Sequence, residues 1–273
     1  LSGRLNNRDH RKLMIIDGRA AFTGGVNLAD EYINKEERFG KWKDNCFLLQ
    51  GDAVRNYTLM FLQLWNTTVS QDAKLYQPYV SVRSDRVPRE GDGFIIPYGD
   101  GPHSPVSVAQ SIYLNIIHSA VDYVHIMTPY LVLDDEMLNA LKRAAKSGID
   151  VRILLPYIPD KKTVNLIGKT YYPELLEAGV HIYEYTPGFV HSKVVEADGN
   201  IAAVGTINLD FRSLYLHYEC ACLIFENDVL KDITEDFHRT FADSHRITMS
   251  DYKKMNLMKR FAGRVLRVFA PQV

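Results

Sequence analysis

"HRKLMIIDGRAAFTGGVN", residues 10–27, decides the fold because the chain writes it twice. The second copy, "HSKVVEADGNIAAVGTIN", covers residues 191–208. His10 pairs with His191, Lys12 with Lys193, Asp17 with Asp198, Gly24 with Gly205 and Asn27 with Asn208. All share one offset of 181 (191 − 10), without a gap. Five polar or glycine identities at fixed spacing mark a duplicated structural unit. Alternation puts residues i and i+2 on one face of a strand, so each histidine shares a face with its lysine. His-x-Lys is therefore expected to open a strand. Asp17-Gly18 and Asp198-Gly199 read as hairpin turns into a second strand.

The likeness continues outward. "WKDNCFLL" follows the first copy and "DFRSLYLHYECACLIF" the second, and matching their apolar strands sets Asp44 against Glu219. Each copy ends in helical spacing, "AVRNYTLMFLQLW" and "VLKDITEDFHRTF". Upstream of the second copy, strands ("FIIPYG", "YVHIMTPYLV", "IDVRILLPY", "VHIYEY") alternate with helices ("SVAQSIYLNIIHSAVD", "DDEMLNALKRAAKSG", "NLIGKTYYPELLEAG"). Asp134 or Asp135 is placed to cap the second helix and Gly148 to end it. Such alternation predicts an α/β layered sheet. Roughly 95 residues of these units precede the second copy, against nine before the first. If the copies are equivalent domains, the first is expected to lack its front half. The predicted organisation is residues 1–68 as the end of a first domain, 69–92 as a polar linker broken by Pro and Gly, 93–250 as a second domain, and 251–273 as a basic amphipathic helix.

Composition narrows the function. The 273 residues are 46% hydrophobic and 24% charged, an ordinary globular mix. A net charge of −1 and a pI near 6.8 give no field that favours nucleic acid, so no such partner is expected. Cys46, Cys220 and Cys222 form no CxxC and read as core residues in a reducing compartment. No apolar run reaches the roughly 18 residues of a membrane span. The opening "LSGRLNNRDHRK" has no apolar core of a signal peptide.

Two His-Lys pairs admit three readings. A metal site is disfavoured, because each lysine repels a cation and no third His or Cys sits at ligand spacing. An ordinary solvated or core histidine is the reading for the other seven, His125 and His217 among them, but fits poorly for two embedded in one pattern. Phosphodiester chemistry fits best. Lys12 and Lys193 supply fixed charge, and Asn27 and Asn208 neutral donors, to one tetrahedral anion. One imidazole attacks phosphorus while the other carries the proton of the leaving and entering alcohols. A carboxylate on the far ring nitrogen orients such an imidazole, and Asp44 and Glu219 are the candidates, one per copy.

The doubled H-x-K-x4-D-x6-G-[GT]-x-N pattern resembles the phospholipase D superfamily. The flanking "LNNRDHRKLMIIDGRAAFTGGVNLADEY", "FGKWKDN", "IMTPYLVLDDEMLNALKRAAKSGIDVRILLP" and "GFVHSKVVEADGNIAAVGTINLDFRSLYLHYE" are similar to bacterial cardiolipin synthases. The resemblance implies two pseudo-twofold-related mixed-sheet α/β halves packed face to face, the first incomplete here. It implies transfer of a phosphatidyl group between two phosphatidylglycerol molecules, releasing glycerol through a phosphatidyl-histidine, with no metal or other cofactor. Phosphatidylglycerol and the membrane surface are the implied partners, at the cell membrane with the active domain on its cytoplasmic side. Carried over, His10, Lys12, Asp17, His191, Lys193 and Asp198 form the catalytic set, with His10 as nucleophile and His191 as general acid/base. Asp17 and Asp198, at the far end of the strand, are expected to hold the turn. Hydrolysis by the same motif, or a fold kept without catalysis, are the rivals.

Three local features carry further expectations. Glu196 interrupts an apolar strand and is expected to face solvent or an edge. Thr206 stands where the first copy has Gly25 and adds a hydroxyl to a tight turn. In the tail, Met258, Phe261, Ala262, Val265 and Phe269 share one helical face, with six basic residues against Asp251 alone. That pattern suits either anionic lipid, at roughly 1 kcal/mol per basic residue, or a helix packed on the domain.

Overall fold

Both Asp-Gly pairs turn tight hairpins. Asp17 and Gly18 take φ of 53° and 66°, and Asp198 and Gly199 take 54° and 65°. Positive φ at both central residues is the type I′ turn, whose twist matches that of the strands it joins. The computed structural model describes residues 7–69, 71–84 and 89–270. Its elements begin with β1 (Leu13–Ile16), β2 (Ala20–Gly24), β3 (Lys41–Lys43), β4 (Cys46–Gln50) and α1 (Val54–Thr68). A short α2 (Gln77–Val80) forms within the expected linker, of which residues 70 and 85–88 lie outside the described residues. Then come β5 (Phe94–Asp100), α3 (Val108–Ser119), β6 (Tyr123–Met127), α4 (Asp135–Lys146), β7 (Asp150–Pro156), α5 (Lys162–Gly168), α6 (Tyr172–Glu177) and β8 (His181–Tyr185). The second copy and tail supply β9 (Gly188–Val190), β10 (Val194–Ala197), β11 (Ile201–Gly205), α7 (Phe211–Tyr215), β12 (Glu219–Phe225), α8 (Val229–Ala242), β13 (Ser244–Ile247), α9 (Met249–Lys254) and α10 (Leu257–Arg267).

The second half is one mixed sheet in the order β13-β8-β7-β6-β10-β11-β12-β5, with β6, β7 and β8 parallel. Alternate residues of β10 divide its two cores: Val195 packs with α3 and α4, and Val194 with Phe237 and Phe241 of α8. The first half, as described, is the antiparallel sheet β1-β2-β4 with α1 on one face. Among the described residues the mixed sheet is present in the second half, and the first half, expected to be incomplete, shows the antiparallel part. Asp134 caps α4 by accepting from Met137 N at 2.8 Å.

The halves join at two equivalent places. β3 pairs parallel with β9, Lys43 opposite Val190, and Asp9 bridges parallel to Tyr218. Asp9 and Val190 are repeat mates, as are Lys43 and Tyr218, so the pseudo-twofold is written into the register. His10 N donates to Tyr218 O at 2.9 Å and His191 N to Lys43 O at 2.7 Å. This corrects the expectation that His-x-Lys opens a strand. β1 and β10 start after the lysines, because the histidine segments first give their backbone to the opposite half.

Four other expectations change. "NLIGKTYYPELLEAG" is two helices, because Pro173 inside one helix loses an N–H bond and clashes with the preceding turn, at about 3 kcal/mol; it sits instead in the first turn of α6. Glu196 is fully buried on central strand β10, accepting from Tyr123 Oη at 3.1 Å and from the Thr234 hydroxyl. Cys46 is exposed, while Cys220 and Cys222 are buried. The tail breaks into α9 and α10 at Asn256, whose side chain caps α10; residues 271–273 lie outside the described residues. Among the described residues no helix is long and apolar enough to cross a membrane.

Candidate active site

Each histidine takes its carboxylate from the other half. His10 Nδ1 donates to both oxygens of Glu219, at 2.9 and 3.0 Å, and His191 Nδ1 donates to Asp44 Oδ2 at 2.7 Å. Asp44 directly follows β3 and Glu219 opens β12, so the contacts that join the halves also deliver the carboxylates. With the proton fixed on Nδ1, each imidazole keeps its Nε2 lone pair for chemistry.

The lysines close the arrangement. Lys12 Nζ donates to His10 O at 2.6 Å, and Lys193 Nζ donates likewise to His191 O. Burial drives Lys12 below its ordinary pKa, and burial together with the charge of Lys12 brings Lys193 down to about 7. Glu219 and Asp44 act electrostatically on both lysines, so the four groups share one site. Burial, then the nearby Lys193, lowers His191 to about 4, leaving a neutral imidazole at pH 7. Burial raises Glu219, but hydrogen bonding to His10 and the nearness of His217 outweigh it and hold it at about 2. Asp44 is likewise held low: the His191 bond and the Lys193 charge overcome its burial.

The Gly25/Thr206 difference has a structural reason. The Thr206 hydroxyl donates to Glu219 Oε2. A Cβ at Gly25 would stand 2.1 Å from Asp44 Oδ1, so the first copy has no room for a side chain there.

The motif aspartates lie apart from this cluster. Asp198, in the turn at the far end of β10, accepts from the backbone N–H groups of Val121, Asp122 and Tyr123 at 2.7–2.9 Å. Asp17 occupies the equivalent exposed turn after β1. Asn27 and Asn208 sit in equivalent loops after β2 and β11. Asn208 is buried and its amide already donates to Ser213 Oγ at 3.0 Å.

Two side chains at the site escaped the sequence reading. His217, read there as ordinary, lies with its ring centroid 5.6 Å from that of His10 and its Nδ1 3.7 Å from Glu219. Trp42 lies 4.9 Å from His191 and donates to Asp44 at 3.4 Å. Each precedes a carboxylate by two residues, so the i, i+2 rule that linked His to Lys also finds these. His10, His217 and Glu219 bring possible metal-ligand atoms within 4.8 Å of one another, which corrects the reading that no third histidine is at hand. The two lysines still oppose a cation, and the short His10–Glu219 bond is that of an oriented imidazole.

Two imidazoles oriented by buried carboxylates, two lysines and a fold doubled about them define a class of site, and it is similar to that expected of the phospholipase D superfamily. Within it the likeness is to cardiolipin synthases. Residues 113–241 match the family described as "Cardiolipin synthase, PLD-like domain". The chain is 39% identical over 271 residues to cardiolipin synthase 2 of Bacillus anthracis, covering 99% of this chain and 52% of that protein. It is 40% identical over 272 residues to cardiolipin synthase of Geobacillus kaustophilus, covering 99% and 53%. An uncharacterised protein of Streptococcus mutans is 50% identical over 266 residues, covering 97% and 57%. The chain therefore spans about half the length of the curated relatives it matches. The crystal structure of phosphatidylserine synthase from Haemophilus influenzae superposes with a TM-score of 0.68 over 98% of this chain and 70% of that one; at 16% identity this speaks to the fold alone.

Proposed function

We propose that the chain is the catalytic part of a phosphatidyltransferase that makes cardiolipin and glycerol from two phosphatidylglycerol molecules. The observation that carries this reading is the crossed pairing of His10 with Glu219 and His191 with Asp44 around two lysines, Lys193 buried and Lys12 half-buried. His10 Nε2 attacks phosphorus, a P–N bond forms, and the P–O bond to the leaving glycerol breaks as His191 Nε2 protonates that oxygen. A phosphate anion seated beside His191 and Lys193 raises the proton affinity of both, which supplies the acid for this step. In the second step a hydroxyl of another phosphatidylglycerol attacks phosphorus, its proton passes to His191, and the P–N bond breaks. Lys12 and Lys193 balance the phosphoryl charge throughout. Asn27 and Asn208 are assigned to the phosphate, Asp17 and Asp198 to the turns. Both substrates are bilayer lipids, so the reaction belongs at the cell membrane, and the free cysteines accord with its cytoplasmic face.

The test is to incubate the whole protein with phosphatidylglycerol vesicles and resolve the products. Cardiolipin plus glycerol, lost in His191→Ala, is the expected result. Phosphatidic acid plus glycerol assigns water as the acceptor and makes the protein a hydrolase. No product from well-folded protein overturns the reading.

A further inference from the structure

Helix α10 is amphipathic the wrong way out. In α4 the apolar residues Met137, Leu138, Ala140, Leu141 and Ala144 are buried, as an amphipathic surface helix requires. In α10 the one buried residue is Gly263. Leu257, Met258, Phe261 and Val265 are 72, 75, 66 and 45% exposed, and Val268 and Phe269 continue the stripe at 75 and 54%. At 3.6 residues per turn the first four fall within an arc of about 100°, and Gly263 lies nearly opposite its centre.

Packing on the inner side fixes this rotation. A Cβ on Gly263 would meet Leu166 O at 2.8 Å and Thr170 Cγ2 at 3.0 Å, so the helix backbone rests directly on α5 and the turn after it. Arg267 lies over the Tyr171 ring at 3.9 Å and pairs with Glu174 at 3.3 Å, and Arg260 lies over Tyr252 at 4.6 Å. The basic residues divide accordingly. Arg260 and Arg267 hold the helix to the protein. Lys253, Lys259 and Arg264 are exposed and carry no ion pair among the described residues. Arg264 borders the apolar arc on one side, while Lys259 lies about 100° past its other edge and is still exposed. An apolar stripe bordered by one unpaired cation, with further exposed cations near it, matches the interface of an anionic bilayer: acyl chains meet the stripe and lipid phosphates the cations. A second protein surface would have to supply both an apolar groove and acidic flanks.

We infer that the outer face of α10 docks the folded chain in the plane of an anionic phospholipid surface. This rests on the reading that the substrates are bilayer lipids, and it adds a contact outside the site. The probe is flotation of the 273-residue chain with vesicles of phosphatidylcholine alone or with a third phosphatidylglycerol. Binding is expected to the anionic vesicles and to fall at least tenfold in Phe261→Asp/Val265→Asp, with the melting temperature unchanged because both side chains face out. Lys259→Glu/Arg264→Glu is expected to remove the preference for phosphatidylglycerol. Equal vesicle binding by the wild type and the aspartate variant overturns the proposal. So does a wild-type dimer that the aspartate substitutions turn into a monomer, since a second copy then covers the stripe. His191→Ala is expected to keep vesicle binding while losing lipid product. Vesicle binding by a wild-type chain that makes no lipid product sinks the transferase alone. Lipid product from a chain that floats with no vesicle sinks the docking alone.

Discussion

At Gly25 a single missing carbon keeps the site open. Its Cβ would lie 2.1 Å from Asp44 Oδ1 and 2.9 Å from His191 O, and its φ is not in the left-handed region, so the constraint is steric. Gly25→Ala is expected to push Asp44 off His191 and lower kcat by about 10²-fold, the low end of what oriented acid–base catalysis contributes, while KM changes little. Steady-state kinetics on vesicles reads this, and an unchanged kcat would show that Asp44 does not orient His191. Lys193 makes a prediction in pH. Burial and Lys12 hold it at about 7 in the empty site. Below that pH it is charged and binds the lipid phosphate; above it the ammonium is lost. KM is expected to rise with pH above 7, by up to about tenfold per pH unit. A KM flat between pH 6.5 and 8.5 removes Lys193 from phosphate binding.

At the level of elements, the pairing of β3 with β9 carries the crossed arrangement. Three residues on each side place Lys43 O under His191 N and leave Asp44 as the next residue. Trp42 and Phe189 stack across it at 4.6 Å. Gly188 is where the strands approach, for a Cβ there would lie 2.4 Å from Lys41 N. Gly188→Ala is expected to cost about 1–3 kcal/mol of stability, as overpacking does, and to lower activity more than a variant of equal stability loss in α3. Thermal melting alongside turnover separates the two effects. This pairing also marks where sequence reading stops. The repeat exposed the hairpins, the lysines and both carboxylates, because identities at one offset need no knowledge of three-dimensional neighbours. It assigned one carboxylate per copy and left open which imidazole each would meet, since that depends on contacts between distant segments. β9 has three residues, too few to show any period. His217 and Trp42 looked ordinary for the same reason: the catalytic histidines they lie against belong to the other half. Glu196 was misplaced because a lone acid in an apolar strand usually marks an edge, and the Tyr123 and Thr234 hydroxyls that satisfy it arrive from 73 and 38 residues away.

Across the whole molecule the buried imidazoles make the fold sensitive to acid. His191 lies in the site, and His125 lies on β6 among Phe237, Phe241 and Tyr123. Burial lowers both from an ordinary 6.5 to about 4. An unfolded chain therefore takes up two protons near pH 6.5 that the folded chain refuses until about pH 4. Where the unfolded state binds more protons, stability falls as pH falls, so the histidines' share of the loss develops between 6.5 and 4 and levels off below, where the depressed carboxyls of Glu219 and Asp44 add their own. Each histidine accounts for on the order of 3 kcal/mol across that window. Glu196, 3.8 Å from His125, opposes this in part: burial raises its carboxyl, so the folded state accepts a proton there before the unfolded one does. The two histidines are separable because one is far from the chemistry. His125→Phe keeps a ring among aromatic neighbours, and its Nδ1 has no hydrogen-bond partner to lose. That variant is expected to keep wild-type turnover and to lose about half of the fall in urea-unfolding stability between pH 7 and pH 4.5. A slope identical to that of the wild type would mean that His125 titrates in the folded protein as it does in the unfolded one.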